Sequence, residues 1–395
     1  MTKLSFNNKS NAFYTTLKSA VEEHFSTHQL KKTGNWKLYA KTGTLIPAAL
    51  LIYCSLLLLF RQHPASALTH PAAPFTPLTH PAATLSPLSQ SPMALVTTGI
   101  ALCVLLGIVL ASIGFNVMHD ACHGSYSSRK WVNDLMGLTL NALGGNAFIW
   151  KFKHNVIHHT YTNVDGLDDD IAKSPFMRSC TTQKWQPAHR YQHIYVVLIY
   201  ALSSFLWVSV LDFVKYFGRK VVNTPLQKMN AKEHGIFWLS KVLYALFYVA
   251  LPVYFVGWQT WFFGFMIMHL ALGFVLAIVF QLAHVVETAE FVHIEAGETM
   301  KLDEQWAIHQ IKTTANFAPR NKIISWYVGG LNFQVEHHLF PRISHIHYPA
   351  INRILRQTCA DFGIAYHEFP TMARAVTSHF RVMRELGRKP VSPTI

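Results

Sequence analysis

The chain has 395 residues, of which 51% are hydrophobic and only 14% charged, against about a quarter charged in a soluble protein. That composition excludes an ordinary soluble globule and places the chain in a membrane. Its formal charge of +14 fits positive flanks on membrane spans better than a nucleic-acid surface, so no nucleic-acid partner is expected. The five cysteines are scattered without a CxxC, which argues against a disulfide framework or a zinc ribbon.

The first 43 residues are polar and basic, with Lys3, Lys9, Lys18, Lys31, Lys32, Lys37 and Lys41. They are too long and too polar for a cleaved signal and are expected on the cytoplasmic side. Apolar runs follow at Thr44–Phe60, Ala94–Val117, Ile194–Leu211, Ile236–Val256 and Thr260–Ala283. A helix needs roughly 20 residues to cross the bilayer core. Residues 61–93 carry no Asp, Glu, Lys or Arg after Arg61 and contain THPAA twice, as expected of an extended external Pro/Ala loop. The His63, His70 and His80 of this loop each precede proline and read as loop composition.

Beyond the second run the chain returns to the cytoplasm, where WVNDLMGLTLNALGG reads as a membrane-surface helix. The run Ile194–Leu211 is followed by Lys215, Arg219, Lys220, Lys228 and Lys232. Placing those outside would break the positive-inside bias, so this run is expected to be buried or interfacial. The last two runs form a hairpin through the uncharged GWQ. The expected fold is an all-α integral membrane protein with four transmembrane helices, at about 44–60, 94–117, 236–256 and 260–283. They belong to a membrane domain over 44–349, with a cytoplasmic helical cap and a cytoplasmic C-terminal segment over 350–395. No P-loop, no GxGxxG after a strand and no His-Pro-Gly-Gly haem motif occurs.

Three histidine-dense patches remain, all on the expected cytoplasmic face. His119 and His123 are spaced i, i+4, which on a helix puts both rings on one side. His154 and His158 repeat the spacing, and His159 points about 100° further round, toward a second metal. Gln334, His337 and His338 again give i, i+3 and i, i+4 relations. His284 stands alone at the cytoplasmic end of the last span. A single such pair arises easily in a chain with 23 histidines; three clustered patches on one side do not. His189, His193, His293, His309, His345 and His347 read as structural or surface residues. Imidazole suits Zn, Cu, Fe and Ni, and seven or eight histidines exceed one shell of about four to six ligands, so two metals are the economical reading. Spacing does not choose the element.

HDACH, HNVIHH and QVEHH resemble the three histidine boxes of integral-membrane fatty acid desaturases in order and separation. QVEHHLFP is similar to the front-end and linoleoyl-CoA desaturase group, in which glutamine replaces the first histidine of the third box. The resemblance runs from about Asn116 to Pro349. It implies two non-haem iron ions held by His119, His123, His154, His158, His159, His337 and His338, with His284 matching the family's further histidine outside the boxes and Gln334 as a ligand or a support. It also implies O₂ as co-substrate and a long acyl chain, as membrane lipid or acyl-CoA, as substrate. Many front-end enzymes carry a fused cytochrome b5 domain; none is found here, so a separate electron donor of cytochrome b5 or ferredoxin type is expected. Asp120, Asp165, Asp168, Asp169, Asp170 and Glu336 are candidates to hold the outer nitrogens of the imidazoles. Arg129, Lys130, Lys151 and Lys153 serve either as positive-inside anchors or as contacts for an anionic head group. The nearest rival is a membrane di-iron hydroxylase. A metal transporter is the rival from another class, but transporters usually place ligands near mid-membrane.

Overall fold

The computed structural model describes residues 3–7, 11–61, 92–172, 175–295 and 297–390. Most of the Pro/Ala loop expected over 61–93 therefore lies outside the described residues. Among the described residues the chain is mainly helical, and five helices are long and apolar enough to cross a membrane. In chain order, α1 is Ala12–Thr27, α2 Trp36–Leu59, α3 Pro92–His123, α4 Lys130–Gly137, α5 Thr139–Ala142 and α6 Ala147–Lys151. Then come α7 Pro187–Gly218, α8 Ala231–Val256 and α9 Trp258–His284. The remainder is α10 Trp306–Lys312, α11 Lys322–Tyr327, α12 Gln334–Leu339, α13 Tyr348–Asp361 and α14 Met372–Leu386.

Local chemistry sets these boundaries. Asn35 caps α2 by accepting the Lys37 N–H, and Asn230 caps α8 by accepting the Glu233 N–H. Gly257, at φ 77°, supplies the left-handed turn of the α8–α9 hairpin. Inside the bundle small residues let backbones meet. A Cβ on Gly107 of α3 would lie 2.5 Å from the Met268 carbonyl of α9, and one on Gly273 would lie 2.4 Å from the Ala201 carbonyl of α7. Around these contacts Leu106, Leu110, Met268, Leu272, Val196 and Tyr200 form the buried core.

Two expectations change. The N-terminal segment is built into the polar layer: α1 buries Phe13, Leu17, Val21 and Phe25 against Ile311, Tyr348 and Leu355. The run Ile194–Leu211 is the middle of a 32-residue helix, long and apolar enough to cross a membrane. Its two ends, however, bond into the same layer. Near the start, Gln192 Nε2 donates to the Met383 carbonyl of α14 (2.9 Å), and near the end Lys215 Nζ donates to Asp169 (2.8 Å). Short parallel pairings stitch this layer together, Val164–Asp165 with Val292–His293 and Asn316–Phe317 with Glu368–Phe369. The expected surface helix over WVNDLMGLTLNALGG is two pieces, α4 and α5, because the chain turns at Leu138 before Thr139.

Among the described residues, four helical stretches widen into π turns: Gly114–Met118, Phe152–His158, Trp207–Leu211 and Leu246–Ala250. Such bulges insert a residue and cluster at functional sites. The first ends immediately before His119, and the second carries His154 and His158.

Candidate metal centre

All eight histidines singled out from the sequence are buried and converge on one volume. His119 and His123 come from the last turn of α3, His154, His158 and His159 from the π turn after α6, His284 from the end of α9, and His337 and His338 from α12. They fall into two groups whose ligand atoms all lie within 4.8 Å of one another: His119, His123, His154 and His337, and His158, His284 and His338. Two nitrogens on one ion, each about 2.1 Å from it, are at most about 4.2 Å apart, so each group is within a few tenths of an ångström of a first shell. His159 sits between them, its ring centroid 4.6 Å from His337 and 4.5 Å from His338.

The grouping adds one detail. An α-helical phase puts His154 and His158 on one face and sends His159 to the second metal. In the π turn the His159 N–H bonds to the His154 carbonyl (3.0 Å), five residues back. The wider turn lets His158 and His159 flank the direction of His154 on either side. His158 therefore joins the second group, and His159 lies between the two.

The hydrogen bonds are divided by ring nitrogen. On the outer side, His158 Nδ1 donates to Asp168 (3.0 Å), His338 Nδ1 to the Gln310 side-chain oxygen (2.8 Å) and His284 Nδ1 to the Thr313 carbonyl (3.3 Å), while His337 Nδ1 meets the Tyr348 hydroxyl (3.0 Å). On the inner side, Nε2 of His119, His123, His158, His284, His337 and His338 is buried without a partner among the described residues, as is Nδ1 of His159. A buried polar atom left unpaired costs about 1–3 kcal/mol, and seven such atoms in one cluster make little sense as packing. Where Nδ1–H is donated outward, as in His158, His284 and His338, Nε2 carries a lone pair, as a metal ligand requires. Burial first, and the neighbouring imidazoles second, hold His154, His159, His337 and His338 well below the ordinary histidine pKa, hence neutral. His158 is the exception: burial lowers it, but the Asp168 carboxylate more than offsets that.

Of the carboxylates proposed as supports, Asp168 takes the role, with Asp170 3.4 Å from His158 Nδ1. The others bind elsewhere. Asp120 accepts from Ser344 (2.7 Å), Asp165 from Thr182 and Gln183, and Glu336 from Asn316, Asn352 and Tyr366. Asp169 and Asp170 hold Lys153, which is thereby committed to an ion pair and not presented to a head group. Lys130 pairs with Asp134 at the surface. Gln334 is buried, and its Nε2 lacks a partner among the described residues. His189, His293, His309, His345 and His347 bond to protein groups outside the cluster. Gln310, Tyr348 and Thr313 were not foreseen. No spacing rule marks them, because each reaches its histidine through the tertiary fold.

A cavity opens from His119 and His154 between α3, α7 and α9, walled by apolar side chains such as Phe115, Leu143, Trp207, Leu272 and Phe280. A histidine cluster able to hold metal, next to an apolar slot and bundled with membrane-length helices, is what oxidation of an alkyl chain needs. Comparison with known proteins decides the assignment: the family profile described as "Fatty acid desaturase" matches residues 96–370. The chain belongs to the fatty acid desaturase family. It is 38% identical over 305 residues to an sn-1 linoleoyl-lipid 6-desaturase of Arthrospira platensis, covering 74% of this chain and 79% of that one. A protein of the same description from Synechocystis sp. (strain ATCC 27184 / PCC 6803 / Kazusa) is 36% identical, over 72% of this chain and 80% of its own. An acyl-lipid (8-3)-desaturase of Physcomitrium patens is 38% identical over 71% of this chain and 59% of its own. The protein is a membrane fatty acyl desaturase. Desaturases of this family generally use a di-iron centre, O₂ and an electron donor, and the unpaired inner nitrogens of this cluster fit such a centre.

Proposed function

We propose that the desaturase holds two iron ions, one on His119, His123, His154 and His337 and the other on His158, His284 and His338, with His159 between them. The carrying observation is the division of ring nitrogens in His158, His284, His337 and His338: Nδ1 tied to protein, Nε2 buried without a partner among the described residues. Gln334, one turn before His337 and His338, stands as a support of the same shell. When bound, the irons supply the oxidising power that removes two hydrogens from an unactivated methylene pair, using O₂ and two electrons from a separate donor of cytochrome b5 or ferredoxin type. The chain's own residues do the rest. Asp168, Gln310, Tyr348 and the Thr313 carbonyl fix the imidazoles, and the apolar cavity orients the acyl chain and keeps water out.

The relatives' descriptions favour an acyl group carried on a membrane lipid as substrate, desaturated on the carboxyl side of existing double bonds. We place the histidine layer on the cytoplasmic face, with α2, α3, α8 and α9 spanning and α7 returning to the face it left. Support comes from the two ends of α7, both bonded into the histidine layer, and from its basic sequel Lys215, Arg219 and Lys220. Cysteines at Tyr191, near the start of α7, and at Asn223, just beyond its end, should be shielded from an impermeant thiol reagent applied outside, once native cysteines are masked. Labelling of either from outside would sink this topology. The function itself is tested by mass spectrometry of lipids from cells expressing the chain. An acyl chain two hydrogens lighter, without added oxygen and esterified to glycerolipid, is the expected product. A hydroxy-acyl product would overturn it.

A further inference from the structure

The cavity wall contains a device that metal binding does not require. Trp207, in the π turn of α7, lines the cavity, and its indole N–H donates to Asp212 Oδ1 (2.9 Å). Asp212, 1% exposed, accepts on its other oxygen from Lys241 Nζ of α8 (2.9 Å). That ammonium also donates to the Val208 carbonyl (3.2 Å) and to the Gly144 carbonyl (2.6 Å), so all three of its protons are engaged. The rings of Phe213 and Phe237 lie 5.1 and 5.6 Å from it. The turn before the second histidine box is stripped of side chains where it meets this clamp. A Cβ on Gly145 would lie 3.3 Å from Trp207 Cζ2, and one on Gly144 would lie 2.7 Å from Val208.

Stability does not explain a lysine–aspartate pair in an apolar bundle. Replacing such a pair by apolar residues of similar volume is often neutral or stabilising, so its retention points to geometry. An ionisable residue within a membrane segment is a functional hypothesis by default. Here the pair locks one aromatic side chain, and that side chain bounds the slot ending at His119 and His154.

We propose that Trp207, clamped by Asp212 and Lys241, sets the register of the acyl chain and so the carbon pair that is desaturated. It is a positioning residue and takes no part in the oxidation. This rests on the reading that the acyl chain occupies this cavity. Removing the indole frees room along the chain, and neighbouring methylene pairs then sample the histidine cluster.

The test reads double-bond position, by mass spectrometry of derivatised products, alongside iron content of the purified protein. In Trp207→Ala the share of displaced positional isomers should rise roughly tenfold or more, the discrimination that one methylene of packing supplies. Trp207→Phe should give a smaller shift. The double variant Asp212→Leu/Lys241→Leu should move the ratio in the same direction with iron unchanged. Should Trp207→Ala fail to accumulate, Trp207→Phe and the double variant decide. An isomer ratio that stays at the wild-type value in the variants that turn over would overturn the proposal. Ala277→Trp, on the cavity wall, separates the two ideas. Undiminished turnover there sinks the cavity reading itself. Blocked turnover with an unmoved ratio in the Trp207 variants sinks the register proposal alone.

Discussion

Helix α9 carries two buried histidines about four turns apart, and they could hardly differ more. His269 is satisfied on both nitrogens: Nδ1 meets the Ser204 hydroxyl at 2.9 Å and Nε2 the Tyr244 hydroxyl at 2.7 Å. His284 is satisfied on one nitrogen only, leaving Nε2 buried and bare among the Nε2 atoms of its neighbours. The same contrast holds between the regions around them. Near mid-bundle, Lys241, Asp212 and Gly144 close their hydrogen bonds on one another. In the histidine layer the bonds close outward and stop at the inner ring. Burial alone does not mark a functional histidine. What marks it is burial with a valence left over and like residues sharing the gap.

The largest effect should come from breaking that contrast directly. His284→Ala should lose turnover and most of its iron, while His269→Gln keeps iron at the wild-type level and loses only thermal stability. His347→Ala, whose ring meets the Thr33 carbonyl at 3.4 Å and packs on Phe25, is the second control and should keep about two irons per chain. Metal analysis of purified proteins reads all three. Full iron in His284→Ala would shrink the ligand set to the boxes.

Outer-shell changes come next. Asp168→Ala removes the carboxylate that orients His158, and supports of this kind are typically worth 10–100-fold in metal affinity. Gln310→Ala removes the neutral bonds from His338 and Thr162, and Tyr348→Phe the one to His337; both should fall at the lower end of that range. A chelator titration followed by residual iron would show the order. Equal iron retention in Asp168→Ala and the wild type would mean that His158 needs no such support.

The satisfied region predicts a different pattern. Lys241→Met alone leaves Asp212 buried without its cation and should destabilise by about 3–5 kcal/mol. Adding Asp212→Leu should restore much of that loss. Thermal unfolding in detergent tests whether the two changes compensate. Simple additivity would show that the ion pair is not the unit assumed here.

How legible was this in the sequence? The convergence of the eight histidines was, because box spacing reflects local helix geometry and the three patches carry it intact. Charge asymmetry led to the third apolar run being expected as a buried or interfacial helix, whereas it lies in a helix long and apolar enough to cross a membrane whose two ends bond into the polar layer. The phase of His158 and His159 was not legible, since nothing in FKHNVIHH announces a π turn. Neither were Gln310, Tyr348 and the Lys241 clamp. Each is a polar residue whose meaning lies in a partner at a sequence separation no periodicity covers: Gln310 to His338, Lys241 to Asp212 and Gly144. The N-terminal helix was missed for a similar reason, because Phe13, Leu17, Val21 and Phe25 form a clear apolar stripe whose partner lies some 300 residues away.

The smallest effect concerns a third histidine, His379 of α14, which resembles His269 in being satisfied. Its Nδ1 donates to the Val285 carbonyl (2.7 Å) and its Nε2 meets the Tyr200 hydroxyl (3.0 Å), tying α14 to the end of α9 and to α7. Burial pushes its pKa down from 6.5 to about 4, against the opposing pull of the Val285 carbonyl. A histidine kept neutral in the folded state stabilises fully above its unfolded pKa. Acidification then favours the unfolded chain, which takes the proton first, until the folded pKa near 4 is reached. From pH 7.5 to 5.5 this one group should remove about 1.4 kcal/mol of stability. His379→Gln cannot take up that proton, so its loss on acidification should be smaller than the wild type's by about that amount. Comparing the variant with the wild type at both pH values cancels the titration of the box histidines, which are common to both. Unfolding curves that shift equally with pH in the two proteins would place the His379 pKa near its ordinary value and remove it from the acid sensitivity of the fold.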